Sequence, residues 1–154
     1  MFYKLIKMAG FGSLVFGFFL SIPVPAEEDG FSYEEGSIWV VTFVKTKTGK
    51  FDQYIEDLSG HWRARKEFQM EKGDVLSYKV MYLPWPRDNE PSLLLMTEYR
   101  NFAAFDRETD YWTEMAAATE GSVEVAHQSF IDRGELRTLR GSFVAREITF
   151  RSED

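Results

Sequence analysis

"GSIWVVTFVKTKTGKFDQYIEDLSGHW", residues 36–62, contains two hydrophobic periods that decide the fold. Successive side chains of a β-strand point to opposite faces of the sheet. A strand over 37–45 is apolar on both faces, with Ile38, Val40 and Val44 on one and Trp39, Val41 and Phe43 on the other. A sheet face in contact with water normally carries polar side chains. Both faces of this strand are therefore expected to be covered.

The next segment predicts a long amphipathic helix. From Lys50 to Lys72, apolar residues recur three and four positions apart, at Phe51, Tyr54, Ile55, Leu58, Trp62 and Phe68. This spacing places them on one face of a helix of about six turns. Gly73 follows, where a left-handed cap residue is expected at the C-terminus.

The rest of the chain alternates in the same way. Three further strands are predicted over 74–86, 92–100 and 141–150. The second and third of the four strands form an antiparallel hairpin. A helical stretch over 101–120 is broken by Gly121, and a last helix begins at the N-cap Ser122. Its spacing predicts that the inward side chains are Val123, Ala126, Phe130 and Ile131.

The predicted order is strand, helix, strand, strand, helix, strand. It indicates an α+β fold with a four-stranded antiparallel sheet and both helices on one face. The other face would expose several hundred Å² of apolar surface, which is unfavourable in water. We therefore predict that two copies pack sheet to sheet as a homodimer.

The N-terminus is typical of a secretory signal peptide over residues 1–26. Lys4 and Lys7 precede an apolar run over 8–22, and "PVPA" precedes the acidic "EEDG". The alternative is an uncleaved anchor, but about 15 apolar residues fall short of the roughly 20 that span a bilayer. The sequence thus predicts an exported protein, periplasmic or secreted. A flexible lead-in over 27–36 and one domain over 37–150 would follow the signal peptide.

Composition excludes several classes of function. The net charge of −7 disfavours binding to nucleic acids and to anionic lipid, so no membrane contact is expected after cleavage. The chain has no cysteine, which excludes disulfides, thiolate metal sites and a catalytic thiol. With two histidines, no dedicated metal site is predicted.

Two segments, "WVVTFVKTKTGKFDQYIEDLSGHWRARKEFQMEKGDVLSYKVMY" (39–82) and "LLLMTEYRNFAAFD" (93–106), carry a resemblance. They resemble the dimeric α+β barrel superfamily, in which ferredoxin-like protomers pair into a barrel, and especially small exported members related to antibiotic-biosynthesis monooxygenases. The resemblance implies a cofactor-free, monooxygenase-like enzyme acting on a small aromatic or apolar molecule. The alternative is a non-catalytic periplasmic or stress-related protein that binds a small ligand. Haem binding through His127 is a third hypothesis.

Any imidazole chemistry must use His61 or His127, the candidates for a catalytic base. Five residues are predicted to bind a ligand: Trp62, Arg65, Tyr78, Tyr99 and Trp112. Aromatic side chains suit a planar apolar ligand, and Arg65 or a tyrosine would orient a phenolate. In the structural alternatives His61 lies on a solvent-facing helix flank, His127 is hydrogen-bonded in the core, and the aromatics only pack.

Overall fold

The computed structural model describes residues 30–151, so the predicted signal peptide lies outside the described residues. The elements are β1 (Tyr33–Thr46), α1 (Phe51–Asp57), a π-helical turn (Leu58–Trp62), α2 (Arg63–Glu71), β2 (Val75–Tyr82), β3 (Leu93–Tyr99), a 3₁₀ turn (Phe102–Phe105), α3 (Thr109–Glu120), α4 (Val123–Arg133) and β4 (Arg137–Phe150). Among these residues, no helix is long and apolar enough to cross a membrane.

The four strands form one antiparallel sheet in the order β2-β3-β1-β4. This arrangement confirms the predicted ferredoxin-like α+β fold and the β2–β3 hairpin. β1 is longer than expected, because Tyr33 pairs with Phe150 at the far end of β4. The proposed lead-in over 27–36 is therefore shorter in the structure, since its residues from Tyr33 onward belong to β1.

The predicted long helix is confirmed as a continuous run from α1 through α2, but its π-helical turn was not predicted. The residues that flank this turn, Asp57 and Arg63, keep right-handed helical backbone angles. At the C-terminus Gly73 has a φ of 78°. Its N–H donates to the Met70 carbonyl at 2.9 Å, and the Asp74 N–H donates to the Gln69 carbonyl at 3.0 Å. Together these bonds form a Schellman cap, for which glycine is the favoured residue.

The two faces of β1 separate as the alternation predicts. Ile38 and Val44 are fully buried on the face toward the helices. The core on this face also includes Tyr54, Leu58, Leu93 and Leu95. We call the opposite side the open face, because no described helix packs on it. The apolar centre of the open face consists of Trp39, Val41, Phe43, Leu94, Met96 and Phe143.

The prediction for the last helix was partly wrong. Ser122 is its N-cap, and its Oγ accepts a hydrogen bond from the Val125 N–H at 3.2 Å. However, Phe130 and Ile131 are more than half exposed. Arg133 is buried instead, because its guanidinium lies beside carboxylates of the neighbouring helices. The ion pairs of Arg133 therefore determine which face of α4 points toward the neighbouring helices.

Candidate functional site

An apolar groove of about 200 Å³ lies between the long helix and the edge strand β2. It is lined by Ile55, Leu58, Ser59, Trp62 and Arg63 from the helix and by Tyr78 and Val80 from the strand. The Trp62 and Tyr78 rings meet edge to face, with centroids 5.3 Å apart and planes at 90°. This geometry is favourable for aromatic pairs, by about 0.5–1.5 kcal/mol beyond the buried area.

The register of β2 turns two of its side chains toward the groove. A shift in pairing between Val75 and Ser77 precedes the aligned part of the strand. Beyond it, Tyr78 pairs with Thr97 and Val80 with Leu95, which is a core residue. Since β2 lies at the edge of the sheet, the groove is open to solvent, and Val80 is 41% exposed.

Lys66 lies one helical turn beyond Trp62. Its Nζ donates to Gln69 Oε1 at 2.8 Å and to the Tyr99 hydroxyl at 3.1 Å. It also lies 5.8 Å from the Trp62 ring centroid and 5.4 Å from the Tyr99 ring centroid. Burial, with a smaller contribution from the Arg65 charge, lowers the pKa of Lys66 to about 8. Burial also raises the pKa of Tyr99.

A buried ion cluster, formed by Asp57, Arg65, Glu120 and Arg133, ties the long helix to α3 and α4. The Glu120 side chain is fully buried and accepts hydrogen bonds from the Arg65 guanidinium, one of them from Nε at 2.6 Å. Arg133 lies 3.9 Å from Glu120 and 3.6 Å from Asp57. Desolvation raises the pKa of Asp57. Four buried atoms near this cluster have no hydrogen-bond partner in the described structure: Asp57 Oδ2, Glu120 Oε2, Arg133 Nη2 and Arg137 Nε.

A third polar cluster surrounds Asp74 at the start of β2. Its carboxylate accepts hydrogen bonds from the Arg107 guanidinium and from the Tyr111 hydroxyl, the latter at 2.7 Å. Burial and the hydrogen bond to Asp74 raise the pKa of Tyr111. Trp112 belongs here, because its indole N–H donates to the Arg107 carbonyl at 3.2 Å and its ring packs on Tyr111. This cluster joins α3 to the end of α2.

The structure brings some of the predicted ligand-binding residues together. Trp62 and Tyr78 share the groove, and Lys66 links Trp62 to Tyr99. Arg65 does bind an acidic group, but that group is Glu120 of the same chain. Trp112 packs in the Asp74 cluster instead.

The two histidines lie apart from the groove lining. His61 is half exposed, with its Nδ1 4.0 Å from Glu120 Oε2. It lines a separate cleft of about 230 Å³ beside the ion cluster. His127 is exposed on α4 and makes no side-chain hydrogen bond with residues 30–151. Their proposed catalytic roles stay predictions.

His127 has no enclosed pocket around it in the described protomer, because its α4 neighbours Phe130 and Ile131 are exposed to solvent as it is. Haem binding through His127 stays a prediction. Within the described part of the chain, no three acidic or histidine side chains lie close enough to hold a metal ion.

Sequence reasoning missed Lys66, Glu120 and Arg133. Lys66 follows Leu58 by eight positions and Trp62 by four, so it lies on the inward stripe of the helix. That spacing was a usable signal within the charged run "HWRARKE". Glu120 and Arg133 carry no such signal, because each is buried against a residue of the long helix that lies far away in the sequence.

No described protein family and no curated protein matches the sequence. Two solved structures are similar to it in fold. A protein from Shewanella oneidensis has 17% identity and a TM-score of 0.44, with 75% of this chain and 97% of that chain covered. A dimeric ferredoxin-like protein from an uncultured marine organism has 6% identity and a TM-score of 0.46, with 79% and 93% covered.

Proposed function

We propose that this chain forms a homodimer that binds a small planar apolar molecule in the groove between the long helix and β2. The carrying observation is the groove lining, in which the Trp62–Tyr78 pair adjoins Ile55, Leu58 and Val80. The signal-peptide pattern over 1–26 supports action after export, in the periplasm or outside the cell.

The size and chemistry of the groove define the ligand class. Its volume of about 200 Å³ is below the roughly 300–1,000 Å³ of sites for drug-sized molecules. It therefore suits a molecule of one or two rings. The indole of Trp62 and the phenol of Tyr78 offer faces and edges to such rings.

The positions of the histidines favour binding over histidine-based oxygenation. A general base must lie within about 3 Å of the proton that it removes, directly or through one water. His61 is directed toward Glu120, and His127 stands on the exposed side of α4. Neither belongs to the groove lining.

Calorimetric titration with 2-naphthol tests the groove. Val80 and Met81 are neighbours on β2 with similar exposure, 41% and 49%, but they point to opposite faces of the sheet. Val80→Asp is expected to weaken binding at least tenfold, because it places a carboxylate in the apolar lining. Met81→Asp is the matched control and should bind like the wild type. Equal affinity of Val80→Asp and wild type would overturn the proposed site.

The homodimer is supported by the open face. Its centre is apolar, and the Phe43 and Phe143 rings pack 5.7 Å apart across β1 and β4. Polar groups border this centre: Ser77 Oγ donates to Glu98 Oε2 at 2.6 Å, and Lys79 Nζ lies 5.5 Å from the Trp39 ring centroid. An apolar centre with a polar rim is the usual composition of a protein–protein interface.

The size of the open face is adequate for a weak to moderate dimer. Four strands about 4.8 Å apart and three rows of side chains about 6.7 Å apart give a flat area of roughly 400 Å² per protomer. Two such faces with their polar rims approach the 1,000 Å² or so of a specific interface.

Sedimentation equilibrium should show the reverse of the binding result, with a weaker dimer for Met81→Asp and an unchanged dimer for Val80→Asp.

A further inference from the structure

Arg63 is the charged residue in the described lining of the groove. The other lining residues are aliphatic, aromatic or, in the case of Ser59, a hydroxyl. The sequence suggested Arg65 as the residue that orients a phenolate, but its guanidinium is bound by Glu120. The groove therefore offers a ligand a cationic group from Arg63, and no carboxylate belongs to the described lining.

The position of Arg63 divides the groove into an apolar interior and a polar rim. Leu58 is buried in the interior. Ser59 and Arg63, one helical turn apart, line the same groove but are exposed to solvent. A planar ligand that packs on Trp62 can therefore bury its rings and leave one ring substituent at the rim, beside the Arg63 guanidinium.

The Arg63 guanidinium has donors to spare. Its Nε lies 3.4 Å from Glu67 Oε1, and the Tyr78 hydroxyl donates to the same oxygen at 3.4 Å. Within residues 30–151 no hydrogen bond occupies the two terminal nitrogens of Arg63. The N–H groups of a guanidinium form a planar fork that matches the two oxygens of a carboxylate. Arg63 can thus bind a carboxylate at the rim without leaving Glu67.

The charges around the groove favour an anion over a cation. The charges of Arg63 and Glu67 offset each other, but Lys66 adds a positive charge 5.8 Å from the Trp62 ring centroid. Lys66 forms no ion pair within residues 30–151, and its pKa of about 8 leaves it mainly protonated at pH 7. Lys66 acts here without entering the groove, because Coulomb interactions extend over several ångströms. A cationic ligand would be repelled by both basic residues.

We infer that the ligand is an aromatic carboxylate of one or two rings and that Arg63 selects it. The rings pack on Trp62 and Val80 in the apolar interior, and the carboxylate at their edge accepts hydrogen bonds from the terminal nitrogens of Arg63. Arg63 therefore determines specificity, whereas the apolar residues supply the contact area. This inference rests on the proposed function, because it names the ligand class of the same groove.

The test is calorimetric titration of the full chain at pH 7 with 2-naphthoate and with 2-naphthamide. The two probes have the same rings and nearly the same size, but only 2-naphthoate is charged. The wild type is expected to bind 2-naphthoate about five- to tenfold more tightly, as a charge-assisted pair at a partly exposed site would give. High salt should reduce this preference, because it screens charges near the surface.

Variants assign the preference to Arg63. Arg63→Gln should weaken 2-naphthoate binding about five- to tenfold and leave 2-naphthamide binding unchanged, which also shows that the groove is intact. Arg87→Gln is the matched control, because it removes an exposed arginine that pairs with Glu90 in the loop between β2 and β3, and it should keep the preference. Glu67→Gln removes the carboxylate beside Arg63 and should strengthen 2-naphthoate binding by about twofold.

Equal affinities of the wild type for 2-naphthoate and 2-naphthamide, or equal weakening of both probes by Arg63→Gln, would overturn the inference. 2-Naphthol, which carries no carboxylate, separates this result from the proposed function. If 2-naphthol and 2-naphthamide bind but 2-naphthoate binds no more tightly, the groove is correct and the selection of carboxylates is wrong. If none of the three probes binds, the groove and the selection are both wrong.

Discussion

The two faces of the sheet use alternate residues of the same strands for different purposes. The helix-covered face buries charged groups, such as the ion cluster, and leaves an edge open as the groove. The open face holds an apolar centre bordered by polar groups. Adjacent residues such as Val80 and Met81 therefore belong to separate surfaces. A single substitution is expected to change ligand binding or assembly, but not both.

The largest expected effect lies on the covered face, in the ion cluster. Glu120→Gln leaves the Arg65 and Arg133 side chains buried without this counter-charge, and breaking a buried pair in this way typically costs about 3–5 kcal/mol. Glu114→Gln, which removes the exposed partner of Lys72, is the control and should change the free energy of unfolding by less than about 1 kcal/mol. Urea denaturation measures both. Similar losses in the two variants would mean that the cluster contributes no more than a surface pair.

The next effect concerns the open face. Phe143 and Val144 are neighbours on β4, 47% and 54% exposed, and they point to opposite faces. Phe143→Asp is expected to weaken the dimer by about 2–4 kcal/mol, roughly 30- to 1,000-fold, because it puts a carboxylate into the apolar interface. Val144→Asp should leave the dimer intact. Light scattering across a dilution series distinguishes the two variants. Dissociation of Val144→Asp but not of Phe143→Asp would show that the interface does not lie on the open face.

The smallest effect returns to the covered face and depends on pH. The pKa of Lys66 is about 8 in the folded chain, against 10.5 for an unperturbed lysine, which is the value expected in the unfolded chain. Below pH 8 the side chain is charged in the folded and in the unfolded chain, so burying it costs most there. Between pH 8 and pH 10.5 the unfolded chain binds more protons than the folded chain, and the free energy of unfolding therefore rises with pH. Lys66→Met is therefore expected to stabilise the fold by about 1–3 kcal/mol at pH 7.

Because this advantage comes from the charge, it should shrink as pH rises toward 10.5. Denaturation curves at several pH values measure it. Parallel pH profiles of stability for Lys66→Met and wild type would show that Lys66 carries no perturbed charge.

The fold was predictable because its signals are local. The alternation of Ile38, Trp39, Val40 and Val41 assigns the two faces of β1 directly, since the period of a strand is two residues. The caps at Gly73 and Ser122 were likewise readable from single residues. These features depend on backbone geometry, which neighbouring residues determine.

The candidate site was only partly predictable, because distant contacts decide it. The apolar spacing of α4 suggested that Phe130 and Ile131 point inward, yet Arg133 does so to reach Asp57 and Glu120. A hydrophobic pattern cannot identify a helix that is docked through ion pairs. Trp62 and Tyr78 were predicted to bind a ligand, as Trp112 was, and only the structure shows that the first two line the groove while Trp112 packs elsewhere.

The π-helical turn at Leu58–Trp62 also couples the two halves of the long helix to each other. A π-helical turn holds one residue more than the α-helical turn whose place it takes. One residue corresponds to about 100° of rotation, so removing a residue from the turn would rotate every later side chain relative to the earlier ones. Deleting Gly60, which has open space where a Cβ would be, is therefore expected to move Trp62 and Lys66 out of their present register with the sheet.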